Sequence, residues 1–106
     1  VAVSAAALAL DRRPGTIAIA HELGHALGLL HTSEPSGRAH DHLTSTLECT
    51  SARDGNGSGT VLPEECSGAG ADNLMFWALG SAAPTLTPEQ HDVLNRSPLL
   101  VKWPTP

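Results

Sequence analysis

Hydrophobic and polar positions divide the chain into four stretches. Val1 to Leu10, VAVSAAALAL, is an apolar, Ala-rich run without enough periodicity to separate strand from helix. β-Branched Val1 and Val3, and a turn over Asp11-Arg12-Arg13-Pro14-Gly15, favour a strand leading into a helix. Thr16 can cap that helix, Ile17 to Leu27 form its body, and Gly28 lies just past its end. Ile17, Ala18, Ala20, Leu23, Ala26 and Leu27 make it apolar almost all round, leaving one polar stripe of His21, Glu22 and His25. Such a helix is expected to be central, with the stripe facing a cleft. A long polar, turn-rich stretch follows, with Pro35, Ser36 and Gly37 near its start, and the apolar pattern resumes only at Leu74-Met75-Phe76-Trp77. Thr87-Pro88-Glu89-Gln90 then supplies a cap, a proline at the first helical position and a glutamine to complete a capping box. This predicts a short helix to about Asn95, stopped by Pro98, with Leu99, Leu100, Val101 and Trp103 packing back.

Composition narrows the picture. A chain of 106 residues, 41% hydrophobic, is one domain with a modest core. Its net charge is -5 and no basic patch stands out, which argues against nucleic acid and against an anionic membrane as partners. The apolar runs are too short to cross a bilayer, and the N-terminus carries no charged-then-apolar signal. A lone strand is not stable in water, so the expected strand implies partner strands.

The polar stripe carries the chemistry. His21 and His25 are four apart, so on a helix their side chains stand one above the other and reach the same ion. Glu22 flanks that face, poorly placed as a ligand but well placed to take a proton from a metal-bound water. His31 can become a third ligand only if the chain turns sharply after His25. Gly28, lacking a Cβ, permits a left-handed turn there. Gly24 would let a neighbouring segment approach the helix closely. The alternative is a set of ordinary helix residues, but five specified residues at fixed offsets make chance a poor account.

Two further features lie in the turn-rich stretch. Counting Asp54 as position 1, the segment DGNGSGTVLPEE has the oxygen-ligand spacing of an EF-hand calcium loop: Asp54, Asn56, Ser58, the Thr60 carbonyl and a closing Glu65, around Gly59. Ser58 is a weak ligand, and Pro63 and the lack of amphipathic flanking helices argue against a paired EF-hand domain; the alternative to a calcium site is a Gly-rich surface turn. Cys49 and Cys66 bracket the loop and can close it as a disulfide, with two buried thiols or a soft-metal pair as alternatives. His40 and His42 could bind a further metal, although histidines two apart in a polar loop are more often solvated.

HELGHALGLLH resembles HExxHxxGxxH, the zinc signature of the metzincin metallopeptidases, and Asp72 to Trp77 resembles their Met-turn. The likeness spans about residues 16 to 96. Thr32 after the last histidine and the long insertion before Met75 look most like pappalysin-type members, with bacterial matrixin-like proteases also possible. The resemblance implies an α+β fold: the C-terminal part of a catalytic domain preceded by further strands, with a central zinc-binding helix, a loop-rich insertion, a Met-turn and a short C-terminal helix. Residues 1–31 would then hold the last strand and the active-site helix, 32–72 the insertion, and 73–106 the Met-turn and final helix. It implies zinc on His21, His25 and His31, a zinc-bound water activated by Glu22, and Met75 as an apolar floor beneath the metal. Trp77 stands where some members carry a tyrosine ligand, so a fifth ligand is not expected. Phe76, Trp77 and Leu79 would line an apolar pocket for the residue after the scissile bond. The expected protein is a secreted, monomeric zinc endopeptidase with zinc as catalytic and calcium as structural cofactor, acting on peptide or protein. The competing expectation is a non-catalytic binding module stabilised by calcium or zinc.

Overall fold

The first helix, α1, spans Pro14–Ala26 and so begins earlier than the Thr16 cap expected from sequence. Proline suits a first helical turn, where its missing N–H has no intrahelical partner to lose and its φ is already near the helical value. Thr16 therefore lies inside the helix, and Pro14 and Gly15 belong to it rather than to a surface turn. The computed structural model describes residues 14–79 and 83–98. The strand expected over Val1–Leu10 and the C-terminal packing expected of Leu99 to Trp103 lie outside them.

Gly28 ends α1 as its sequence position implied. Its φ is 110°, its N–H donates to the His25 carbonyl at 3.1 Å, and the Leu29 N–H donates to the Gly24 carbonyl at 2.8 Å. That pair of bonds is the Schellman arrangement, which satisfies two carbonyls the helix end would otherwise leave open. The chain reverses there, and Leu29 enters the core.

One face of α1 is buried. Ile17 and Ala20 pack with Leu29, Leu74, Met75 and Leu94, against which Leu27, Leu43, Leu86 and Val93 also lie. Removing a leucine such as Leu94 from this cluster would cost about 2–5 kcal/mol. The helix is less enclosed than its composition suggested, because Ile19 is 61% exposed. A second cluster, of Cys49, Val61, Cys66, Ala69 and Phe76, forms under the insertion. Phe76 is fully buried in it, and the Trp77 indole N–H donates to the Val61 carbonyl at 2.9 Å. Phe76 is thus committed to packing under the insertion and cannot line a substrate pocket, whereas Trp77 keeps part of its ring exposed.

The second helix, α2, spans Pro88–Arg96 and carries the full capping box between Thr87 and Gln90. Gln90 is fully buried and does two jobs. Its carbonyl oxygen accepts from the Thr87 N–H at 2.9 Å and from the Asn73 amide at 2.8 Å, while its own amide donates to Asn73 Oδ1 at 2.9 Å. A glutamate could cap the helix but could not donate back to Asn73. Asn73 Oδ1 also accepts from the Met75 N–H, so α2 and the Met75 turn are one hydrogen-bonded unit.

Between the helices the described residues form one 3-10 turn, Ser51–Arg53, and two isolated bridges, Ser33 with His40 and Asn73 with Thr85. The β part of the expected α+β class is represented among the described residues only by those bridges. The insertion is held by the Cys49–Cys66 disulfide, rather than carrying two free thiols or a soft-metal pair, and by Glu89 of α2, which accepts from the Thr44 hydroxyl and the Ser45 N–H. A bridge closing seventeen residues of sequence contributes about 3 kcal/mol in the chain-entropy account. Among the described residues no helix is long and apolar enough to cross a membrane.

Candidate metal centre

The reversal at Gly28 brings His31 back beside the two helical histidines. His21 Nε2 stands 3.1 Å from His25 Nε2 and 3.2 Å from His31 Nε2. The three ligand atoms all lie within 4.8 Å of one another.

What the other ring nitrogens do fixes the chemistry. His21 Nδ1 faces the Leu74 carbonyl at 2.7 Å, His25 Nδ1 the Leu29 carbonyl at 2.8 Å, and His31 Nδ1 the Glu34 carboxylate. Carbonyl and carboxylate oxygens only accept, so each Nδ1 must carry the hydrogen. In a neutral imidazole that leaves Nε2 as a lone pair. Three lone pairs therefore point into one small space with no hydrogen to share between them, which is unfavourable unless a cation occupies it. Tetrahedral zinc with bonds of about 2.0–2.1 Å needs nitrogens roughly 3.3 Å apart. The set of three neutral imidazoles at this spacing fits such an ion and leaves its fourth position open. Burial, with the neighbouring His25 and His31, holds the His21 imidazole below its ordinary range, against the opposing pull of the Leu74 carbonyl and Glu22. That favours the neutral form a ligand requires.

Met75 packs against α1 at Gly24. It is fully buried, and a Cβ placed on Gly24 would lie 2.6 Å from its sulfur, so only glycine lets the methionine seat against the helix. The Met75 carbonyl accepts from the Thr32 N–H at 3.0 Å, tying Met75 to the segment that carries His31. Glu22 is exposed and, with Ala18, Ile19 and Leu23, lines an open hollow of about 350 Å³.

His40 and His42 are not drawn into a metal site. His40 has both ring nitrogens facing acceptors, Glu48 at 3.2 Å and the Cys49 carbonyl at 3.2 Å, while His42 is exposed. Among the described residues His21, His25 and His31 form the only cluster of three or more histidine, cysteine or acidic side chains arranged to share an ion.

The Asp54–Glu65 loop does gather its expected residues. Asp54 Oδ1 accepts from the Ser58 N–H at 3.1 Å and Oδ2 from the Gly59 N–H at 2.7 Å, while Asn56 Oδ1 accepts from the Ser58 N–H at 3.0 Å. The Ser58 hydroxyl lies 3.1 Å from the Thr60 carbonyl, and Gly59 takes the positive φ of 85° that the sharp turn needs. Glu65 reaches back across the loop, accepting from the Gly55 N–H at 2.8 Å and the Leu62 N–H at 2.9 Å.

The Glu34 carboxylate facing His31, together with the Leu29 and Leu74 carbonyls, is a partner of the cluster that the pattern of residue types did not reveal. Its signal was a carboxylate three residues after the last histidine, just before the Pro35-Ser36-Gly37 turn. In comparisons with known proteins no family model, no curated protein and no solved structure matches the chain.

Proposed function

We propose that the chain is a zinc metalloendopeptidase of metzincin type that hydrolyses peptide bonds. The observation that carries this reading is the convergence of three histidine lone pairs, each oriented by a hydrogen bond at its Nδ1, beside an exposed glutamate. His21, His25 and His31 would hold the ion, which when bound supplies a Lewis acid and lowers the pKa of water at its open position. Glu22 is the general base: its carboxylate takes the proton from the attacking water and returns it to the leaving amine. Met75 would supply the apolar floor that the metzincin resemblance implies, and the Gly28 reversal keeps His31 beside the helical pair. The Cys49–Cys66 disulfide is compatible with a secreted protein. As structural companion we assign calcium to Asp54, Asn56, Ser58, Thr60 and Glu65, on the strength of their spacing and gathering.

Glu22→Gln tests the mechanism. It leaves all three ligands in place, so zinc should stay at one per chain while peptide cleavage falls by about 10²–10⁴-fold. A variant that cleaves as well as the parent removes Glu22 from the mechanism. A parent that binds zinc and cleaves no peptide, with or without a chelator, is a metal-stabilised binding module instead.

A further inference from the structure

We propose that Glu34 is the positioning residue of the third ligand, holding His31 in the one tautomer and orientation in which it can bind metal. The inference rests on reading His31 as a ligand. His21 and His25 take their Nδ1 acceptors from backbone carbonyls, but His31 takes a carboxylate. His31 also stands outside the helix, on a segment with no regular structure to aim its ring. An orienting partner matters most there.

Glu34 is half-exposed, yet its backbone is not free to wander. Its N–H donates to the Ala39 carbonyl at 2.9 Å and its carbonyl accepts from the Gly37 N–H at 2.9 Å. The turn this closes is pinned to the insertion: the Ser51 N–H donates to the Gly37 carbonyl at 3.0 Å, and the Val61 N–H to the Pro35 carbonyl at 2.8 Å. Gly37 packs so tightly that a Cβ there would lie 2.6 Å from the Ser51 nitrogen, and its φ is +68°. On the other side, the Cys49 N–H donates to the Ser33 hydroxyl at 2.8 Å. Residues 33–37 are thus clamped against the segment that the disulfide closes. The carboxylate is delivered to His31 by a rigid turn, and the insertion acquires a task at the metal centre although it supplies no ligand.

A carboxylate on Nδ1 does two things for a metal-binding imidazole. It fixes the hydrogen on that nitrogen, leaving Nε2 bare, and its charge makes Nε2 a stronger donor to the ion. Loss of such a partner typically weakens metal binding 10–100-fold.

The test compares the parent with Glu34→Ala and Glu34→Gln. Zinc dissociation constants come from competition with a chromogenic chelator, and the His31 tautomer from ring nitrogen chemical shifts of the metal-free proteins. Glu34→Ala should bind zinc about 10–100-fold more weakly and release His31 into a mixture of tautomers. Glu34→Gln, whose amide oxygen still accepts, should keep the parent tautomer and fall between the two in affinity. The metal-free melting temperatures of all three should agree, which separates positioning from a general loss of fold. Parent-like affinity in Glu34→Ala, or a tautomer that does not change, overturns the proposal. If the parent itself takes up no zinc, the peptidase reading fails. The tautomer comparison then still decides the role of Glu34.

Discussion

Two regions of this chain gather metal-ligand residues, and they treat their own lone pairs in opposite ways. At the histidine cluster every hydrogen on Nδ1 is spent outward, on Leu74, Leu29 and Glu34, and the Nε2 lone pairs are left facing one another. At the Asp54–Glu65 loop the carboxylate oxygens turn inward to the backbone N–H groups of Gly55, Ser58, Gly59 and Leu62. The first region leaves its lone pairs without hydrogens; the second pairs its carboxylate oxygens with the backbone, and calcium would have to displace those N–H groups. Preorganisation is therefore visible in what a site leaves unpaired, more than in how many ligand residues it collects.

The sharpest break would come at the histidines. His25→Ala removes one of three lone pairs and should abolish stoichiometric zinc uptake, a loss larger than the 10–100-fold that follows removal of an orienting partner. Calcium-dependent behaviour should not change. Zinc titration of the variant by calorimetry decides it, and retained parent affinity would mean that the cluster is not the site.

Next in size is the disulfide. Replacing Cys49 and Cys66 together by serine should lower stability by about 3 kcal/mol, read from denaturant midpoints. The Asp54–Glu65 loop lies inside that bridge and should lose its calcium response with it, while zinc stoichiometry survives.

Calcium itself comes third. At a hundredfold excess over its dissociation constant it should raise stability by about 2.7 kcal/mol, and Glu65→Gln should cancel the gain by removing the charge and bidentate closure. Equal melting temperatures for both proteins, with calcium and with a calcium-selective chelator, would leave the loop a Gly-rich turn held by its own hydrogen bonds.

The smallest effect is that of pH on the metal-free protein. His21 has a folded-state pKa below its ordinary 6.5, chiefly through burial. Below that ordinary value the unfolded chain binds a proton the folded chain refuses, so stability should be flat above about pH 6.5 and fall as pH drops toward the lower folded value. His21→Gln should flatten the slope in that window. A slope of the opposite sign would place His21 in an exposed, charge-favouring setting.

Much of the candidate site was legible because it is local. The spacing of His21, His25 and His31 and the need for a turn at Gly28 follow from helix geometry alone, and Gly24 announced a close neighbour. The capping box at Thr87 and Gln90 was equally plain. What escaped depends on contacts that no short window contains. Glu34 meets His31 across a non-helical turn whose shape is set by Ser51 and Val61. Apolar residues such as Phe76 suit a pocket wall and a core equally well in sequence, and only the position of Val61 and the disulfide assigns Phe76 to the core. Pro14 suits a surface turn and the first turn of a helix equally well in sequence, and the structure places it in the helix.

The Schellman turn at Gly28 has a consequence for the order in which the site assembles. Contacts across ten or so residues close in about 10–100 ns, far sooner than those that require distant segments to meet. His25 finds its acceptor on Leu29 within that reach. His31 finds Glu34 nearby, once the turn that presents it has formed. His21 must wait for Leu74, separated from it by 53 positions. His25 is thus aimed by a local contact, whereas His21 is aimed only when the Met75 segment docks against α1.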